Sequence, residues 1–329
     1  MKTFFKVAGG ALLILFAVVG TGLTWLSLKK PASRAASSET VEVTPARLAR
    51  GQYVVEHVAD CLNCHSDHLT TFGMPIKPGT EGQGGFLFDK NLGIPGVVAA
   101  QNITPDRETG IGAWTDGEVL RAMREGVDRN GDALFPMMPY VHFRTMSDED
   151  AKSVLVYLRT LKPIRHSVPA RHIDFPVNLI IKFKPKPVDG PVNAPDPHHA
   201  VAYGGYLAEL ACVECHTPHD DKNQLDPTRA YAGGWTMRGP WGRVVTANLT
   251  PEPNAFLGRA TKDEFIGRFR AFDHMDAHNS PAAPPGRNTI MPWLAFSRMT
   301  DQDLGAIYDY LRTVKPVANR VNSFPDAKM

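Results

Sequence analysis

The sequence predicts a mostly α-helical chain: a membrane-length N-terminal helix, then two tandem copies of one domain built from three main helices and long loops. Three observations predict it. Residues 7–28 carry no charged side chain. The stretch Val154-Leu155-Val156-Tyr157-Leu158-Arg159-Thr160-Leu161-Lys162-Pro163 recurs as Ile307-Tyr308-Asp309-Tyr310-Leu311-Arg312-Thr313-Val314-Lys315-Pro316, with Tyr157/Tyr310 and Pro163/Pro316 both 153 positions apart. All four cysteines fall in two copies of one string, Cys61-Leu62-Asn63-Cys64-His65 and Cys212-Val213-Glu214-Cys215-His216.

The N-terminal run, Val7 to Leu28, is flanked by Lys2 and Lys6 on one side and by Lys29 and Lys30 on the other. At about 1.5 Å per helical residue it is long enough to cross a bilayer core. A secretory signal has an apolar region of only about 7–15 residues and a small-residue exit, of which Ser33-Arg34-Ala35 is a poor version. Residues 1–30 therefore read as an uncleaved transmembrane signal-anchor, with a cleaved signal and a soluble periplasmic protein as the alternative. Residues 31–43 read as a flexible stalk.

The first domain, residues 44–163, opens with a helix from about Pro45 to Asp60, Thr44 supplying the N-cap and Pro45 the first turn. Its counterpart in the second domain, residues 198–329, runs from about His199 to Ala211. Middle helices start at the Thr115…Glu118 and Thr261…Glu264 capping boxes. Last helices start at Ser147…Asp150 and Thr300…Asp303; apolar residues at 151, 154, 155, 158 and at 304, 307, 308, 311 have helical spacing with one buried face. Lys162-Pro163 and Lys315-Pro316 end them. Asn102-Ile103-Thr104-Pro105-Asp106 recurs as Asn248-Leu249-Thr250-Pro251-Glu252, and Gly51-Gln52-Tyr53 as Gly204-Gly205-Tyr206. Residues 164–197, rich in proline and without either period, read as an inter-domain strap whose Leu179-Ile180-Ile181 and Phe183 pack into a groove of one domain.

Cys-x-x-Cys-His is the attachment pattern of c-type haem. Thiols three positions apart reach the two vinyl groups of one porphyrin, and the following histidine is held below the iron as its proximal ligand. A structural zinc site would place its two cysteine pairs close together; these lie 151 residues apart (61 to 212). A thioredoxin-like pair would need a βαβ context. Disulfides, which an exported chain permits, leave the two histidines unexplained. The prediction is two covalently bound haem c groups, on Cys61, Cys64 and His65 and on Cys212, Cys215 and His216. Thioether attachment takes place outside the cytoplasm, so the globular part belongs on the periplasmic side of a bacterial inner membrane.

The sixth iron ligand separates an electron carrier from a haem that binds gas or peroxide. Met138-Pro139-Tyr140 and Met291-Pro292-Trp293 match between the repeats and nominate Met138 and Met291, whose soft thioethers favour ferrous iron. Most of the 11 methionines read as core; Met146 and Met299 precede caps as hydrophobic staples. Met137 competes with Met138, but the second repeat has Ile290 there. The remaining histidines, His57, His68, His142 and His219 among them, read as surface or loop residues.

These residues resemble class I cytochrome c domains: Gly-x-Tyr-Leu upstream, Cys-x-x-Cys-His-Thr-Pro at 212–218, Asn-Leu-Thr-Pro at 248–251, Thr109-Gly110-Ile111-Gly112-x-Trp114, and Met138-Pro139-Tyr140. More narrowly, over residues 45–320 the chain is similar to the multihaem cytochrome c subunits of membrane-bound periplasmic alcohol, aldehyde and gluconate dehydrogenases. Those subunits typically carry three haem domains and this chain has two motifs. The second repeat departs further: Ala260 replaces Trp114, and its loop from Gly258 to Met291 is seven residues longer, which reads as a partner-contact or haem-shielding loop. The resemblance implies a membrane-anchored dihaem cytochrome that passes electrons from a periplasmic dehydrogenase or quinol-oxidising complex to a downstream cytochrome or terminal oxidase. It implies no catalytic residues of its own. The alternative is a dihaem peroxidase-like enzyme, which leaves one iron open with an acid or base nearby; a third reading is a haem subunit that mainly anchors a dehydrogenase. A net charge of +2 gives no nucleic-acid footprint. No Rossmann glycine string, phosphate loop or Ser-His-Asp arrangement is present.

Overall fold

The computed structural model describes residues 2–220, 224–239 and 241–327. In chain order the helices are α1 (Lys2–Leu28), α2 (Pro45–Tyr53), α3 (Cys61–Cys64), α4 (Asp116–Glu125), α5 (Tyr140–Phe143), α6 (Asp148–Leu158), α7 (Val177–Ile180), α8 (Ala200–Ala211), α9 (Val213–His216), α10 (Phe256–Arg259), α11 (Lys262–Arg270), α12 (Trp293–Phe296) and α13 (Asp301–Leu311). Five short strands, β1 (Leu87–Phe88), β2 (Gly96–Ala99), β3 (His172–Ile173), β4 (Thr236–Gly239) and β5 (Gly242–Val245), form two small antiparallel sheets, ordered β1-β2-β3 and β4-β5. The architecture is mostly helical with an N-terminal apolar helix.

Helix starts follow local chemistry. Thr44 accepts from the Arg47 amide with Pro45 in the first turn. Thr115 and Thr261 each form a complete capping box, with Glu118 and Glu264, and Ser147 and Thr300 accept from the amides of Asp150 and Asp303. The first helix departs from expectation. α2 passes into a single π turn, Val54–Val58, and ends at Asp60, which adopts a left-handed φ of 46°. Val54, Val55 and Val58 are all buried; the wider turn puts three valines on the core side at once.

The main core is formed by helix pairs that repeat. α2 packs on α6, and α8 on α13. Both crossings occur at a glycine. A Cβ on Gly51 would lie 1.9 Å from the Ser153 carbonyl oxygen, and one on Gly204 would lie 1.8 Å from that of Ala306. The backbones therefore touch where only hydrogen can fit, which explains the recurrence of Gly51 and Gly204 at the repeat spacing.

The two repeats exchange side chains. Tyr53 donates to Asp303 (2.6 Å) and accepts from the Thr300 amide (3.0 Å). Tyr206 donates to Asp150 (2.6 Å) and accepts from the Ser147 amide (3.1 Å). Each tyrosine thus reaches the cap of the last helix in the other half of the chain. Arg50 adds a two-pronged ion pair to Asp150 (2.7 and 2.8 Å). Removing the Tyr206 hydroxyl leaves the buried Ser147 amide without its acceptor, while Asp150 keeps Arg50, so Tyr206→Phe is expected to cost about 1–3 kcal/mol, measured by chemical denaturation. Tyr53→Phe should cost a similar amount, and the double variant should show coupling if the interface opens as one unit.

Residues 31–43, expected as a flexible stalk, run extended along the first repeat. Arg34 pairs with Glu125 (2.7 Å), Glu39 with Lys152 (2.5 Å), and the Val41 amide donates to Asp116 (3.0 Å). The Ser37 backbone presses on Gly117, where a Cβ would meet its carbonyl oxygen at 2.0 Å. The proline-rich stretch from Pro163 to Pro197 supplies β3, which pairs with β2, and it adds Ile173 and Ile181 to a second apolar cluster around Met74, Phe88, Ile94 and Trp241. Of the four apolar residues expected to pack there, Ile181 is buried, while Ile180 and Phe183 are exposed. The long loop of the second repeat docks on the first: the Phe72 amide donates to Pro281, the Gly73 amide to Asn288, and Phe72 stacks on Phe272.

Candidate functional site: two matched Cys-x-x-Cys-His motifs

The cysteines of each motif bracket one short helical turn, α3 for Cys61 and Cys64, α9 for Cys215 with Cys212 as its cap. All four are free thiols. Cys64 and Cys215 are exposed as residues, but their thiols are surrounded by protein, and burial pushes all four thiols up to about 12, with Asp60 adding to the effect on the first pair. Cys64 lines a small cavity with His68, Met74, Phe86 and Ile290. Cys64 makes a lesser electrostatic contribution to the raised Cys215 thiol.

The two histidines are held identically. His65 Nδ1 donates to the Gln101 carbonyl (2.6 Å), and His216 Nδ1 to the Ala247 carbonyl (2.8 Å). With the proton on Nδ1, Nε2 carries the lone pair that a metal requires. Burial lowers the pKa of both imidazoles, keeping them neutral and ligand-competent.

The carbonyls that orient these histidines are themselves fixed by the residue that follows each. Asn102 Oδ1 accepts from the Thr104 amide and hydroxyl (2.9 and 2.7 Å), while its Nδ2 donates to Ile164 (2.7 Å). Asn248 repeats this with Thr250 (2.9 and 2.8 Å) and with Val317 (2.9 Å). The Asn-x-Thr-Pro box therefore ties the histidine-orienting loop to the segment beyond each last helix. Sequence comparison of the repeats singled out the box but gave no role. From the other side, the amides of Gly84 and Gly233 donate to the His65 and His216 carbonyls (2.8 and 2.7 Å). Both glycines have positive φ, 80° and 65°, and a Cβ on either would strike backbone at 2.6 or 2.4 Å.

Met138 and Met291 occupy equivalent places: half-buried, one residue before the prolines that cap α5 and α12, and packed on the main core. Their neighbours Met137 and Ile290 pack on the second cluster instead. The nominated pair and its competitor thus point into different surroundings in both repeats.

His142, expected as a surface or loop residue, is buried. Its Nδ1 meets Glu209 (2.7 Å) and its Nε2 meets Glu214 (2.8 Å), inside the second motif. The His219 side chain is only 5% exposed, stacked on Trp235 with ring centroids 4.2 Å apart and facing Glu214 at 3.7 Å. The methionine loop of one repeat is thereby bolted to the cysteine turn of the other. Burial alone would push His142 down, but the hydrogen bonds its ring donates to Glu209 and Glu214 overcome it and hold the imidazole at about 9. Burial would raise Glu214, but its histidine partners hold it at about 2. A histidine raised above its unfolded value of about 6.5 gives stability that is complete below that pH and lost as pH rises through about 9. A fall of on the order of 2 kcal/mol is expected between pH 7 and pH 10, read as a drop in melting temperature that is shallower in His142→Gln.

The donor set fits covalent haem at both motifs: two free thiols, a neutral histidine aimed by its Nδ1, and a methionine in matched register.

No family profile matches the chain. Individual relatives do. A nicotinate dehydrogenase subunit of Pseudomonas putida is 28% identical over 98% of this chain and 26% of that protein. The fructose dehydrogenase cytochrome subunit of Gluconobacter japonicus is 30% identical over 84% of this chain and 55% of that protein. A diheme c-type cytochrome of Cereibacter sphaeroides is 29% identical over 68% of this chain and 73% of that protein. Cytochrome c subunits of alcohol and gluconate dehydrogenases match at 26–29%. The chain is a relative of the dehydrogenase cytochrome c subunits. It spans between a quarter and three-fifths of the length of the dehydrogenase subunits it matches. That relationship implies covalently bound haem c, and it accords with an electron-transfer role.

Proposed function

We propose that the chain is a membrane-anchored dihaem cytochrome, two tandem class I cytochrome c domains (44–163 and 198–329) joined by the strap 164–197. Cys61, Cys64 and His65 with Met138 hold one haem, and Cys212, Cys215 and His216 with Met291 hold the other. Iron in these groups supplies one-electron chemistry. The chain fixes the ligands and keeps the histidines neutral. It takes electrons from a periplasmic dehydrogenase or quinol-oxidising complex and delivers them to a downstream cytochrome or terminal oxidase. α1, with a span of Phe4–Leu28 long and apolar enough to cross a membrane, anchors it in a bacterial inner membrane with the globular part in the periplasm.

The observation that carries this reading is the repeated histidine geometry, Nδ1 on a backbone carbonyl below a Cys-x-x-Cys turn, with a matched methionine in each repeat. Purified from membranes, the protein should show two low-spin haems with methionine–iron charge transfer and co-purify with a dehydrogenase subunit. A high-spin haem that turns over peroxide rapidly would replace this reading with a dihaem peroxidase.

A further inference from the structure

The strap carries an apolar patch that the electron-transfer reading does not use. Phe175, Ile180 and Phe183 are 68%, 52% and 50% exposed, three large apolar side chains within nine residues. Single exposed apolar residues are ordinary on a protein surface, but a cluster on one short segment marks a contact. What it contacts follows from its neighbour. Lys182 Nζ donates to the carbonyls of Leu26 and Ser27 (3.2 and 2.5 Å), the last turn of α1. These are among the carbonyls a helix end leaves without partners, and a cation there also complements the helix dipole. The Lys29 ammonium lies over both Trp25 (5.0 Å) and Phe183 (5.5 Å). The segment is thus held at Lys182 and Phe183 to the end of the span, at the level where a membrane helix leaves the bilayer. Trp, Phe and Lys are the residues suited to that level: rings in the headgroup boundary, ammonium groups reaching water and lipid phosphate.

We propose that residues 175–183 lie in the membrane interface beside the exit of α1, a second contact of the chain with the bilayer. This rests on α1 being a membrane span. Its consequence is orientation. Residues 31–43 are tied along α4, and Ile173 and Ile181 tie the strap to the second apolar cluster. The globular part therefore sits down on the bilayer with one face fixed toward it instead of swinging on a loose tether.

The test uses the full-length holoprotein in lipid nanodiscs doped with a phospholipid that carries a photoreactive diazirine at the top of its acyl chain. Crosslinked peptides are mapped by mass spectrometry. Crosslinks are expected on α1 and on residues 175–183. The Phe175→Ser/Ile180→Ser/Phe183→Ser variant, which leaves buried Ile181 intact, should lose about fivefold or more of the strap signal with α1 labelling unchanged, since the apolar area that holds it in the interface is gone. Crosslinks on α1 with none on 175–183 overturn the proposal and leave the anchor standing. An absence of crosslinks on both overturns the anchor and the proposal together.

Discussion

Met291→Ala is expected to turn one of two low-spin haems high-spin and to leave the other unchanged. The ferric spectrum should lose about half of its methionine–iron charge-transfer intensity, and the altered iron should bind carbon monoxide, which a six-coordinate haem excludes. Its potential should fall by on the order of 100 mV, because a thioether favours ferrous iron and axial ligands govern a range of about 0.8 V. Met138→Ala should do the same to the other haem, and the double variant should abolish the signal. The specificity follows from packing. Met137 adjoins Met138, but it packs on the second cluster with Ile290, while Met138 and Met291 pack on the main core. Met137→Ala should therefore leave both spectra intact. Retention of both charge-transfer bands in the Met138/Met291 double variant would remove the two methionines from the site.

Gly204→Val is expected to be the most damaging single substitution outside the motifs. Its Cβ would stand 1.8 Å from the Ala306 carbonyl oxygen, where backbone meets backbone and no rotamer change can help. α8 and α13 would have to separate, at a cost of about 3 kcal/mol or more. Because α8 leads directly into Cys212, the displaced helix also moves the second haem's attachment turn. The expected result is a large fall in unfolding midpoint and a loss of haem from the second site in excess of the first. Gly51→Val should mirror this at the first site. Gly267, mid-way along α11 with nothing within 4 Å of its Cβ position, is the control: Gly267→Ala should stabilise by about 0.5–1 kcal/mol, the ordinary gain for removing glycine from a helix interior.

Which features were legible in the sequence depended on the range of the interaction behind them. The caps at Thr44, Thr115, Ser147, Thr261 and Thr300 were legible because donor and acceptor lie three residues apart. The five-residue motifs and the paired methionines were legible because the chain states them twice. The π turn at Val54–Val58 was not, since an apolar run reads the same in either winding. The binding of residues 31–43 was invisible because Arg34 and Lys152 find partners 91 and 113 positions away. His142 was misread for the same reason, its two carboxylates lying 67 and 72 positions along the chain. The strands escaped notice because none exceeds four residues. The Asn-x-Thr-Pro box was visible as a recurrence, yet its role in aiming His65 and His216 required the carbonyls of Gln101 and Ala247, which any residue type could supply.

The central claim is that each repeat binds one haem covalently through its own Cys-x-x-Cys-His. Intact mass of the purified chain under denaturing conditions tests it most directly. The prediction is the polypeptide plus two haem groups, and plus one in a Cys61→Ala/Cys64→Ala or Cys212→Ala/Cys215→Ala variant. A wild-type mass that carries fewer than two would contradict it.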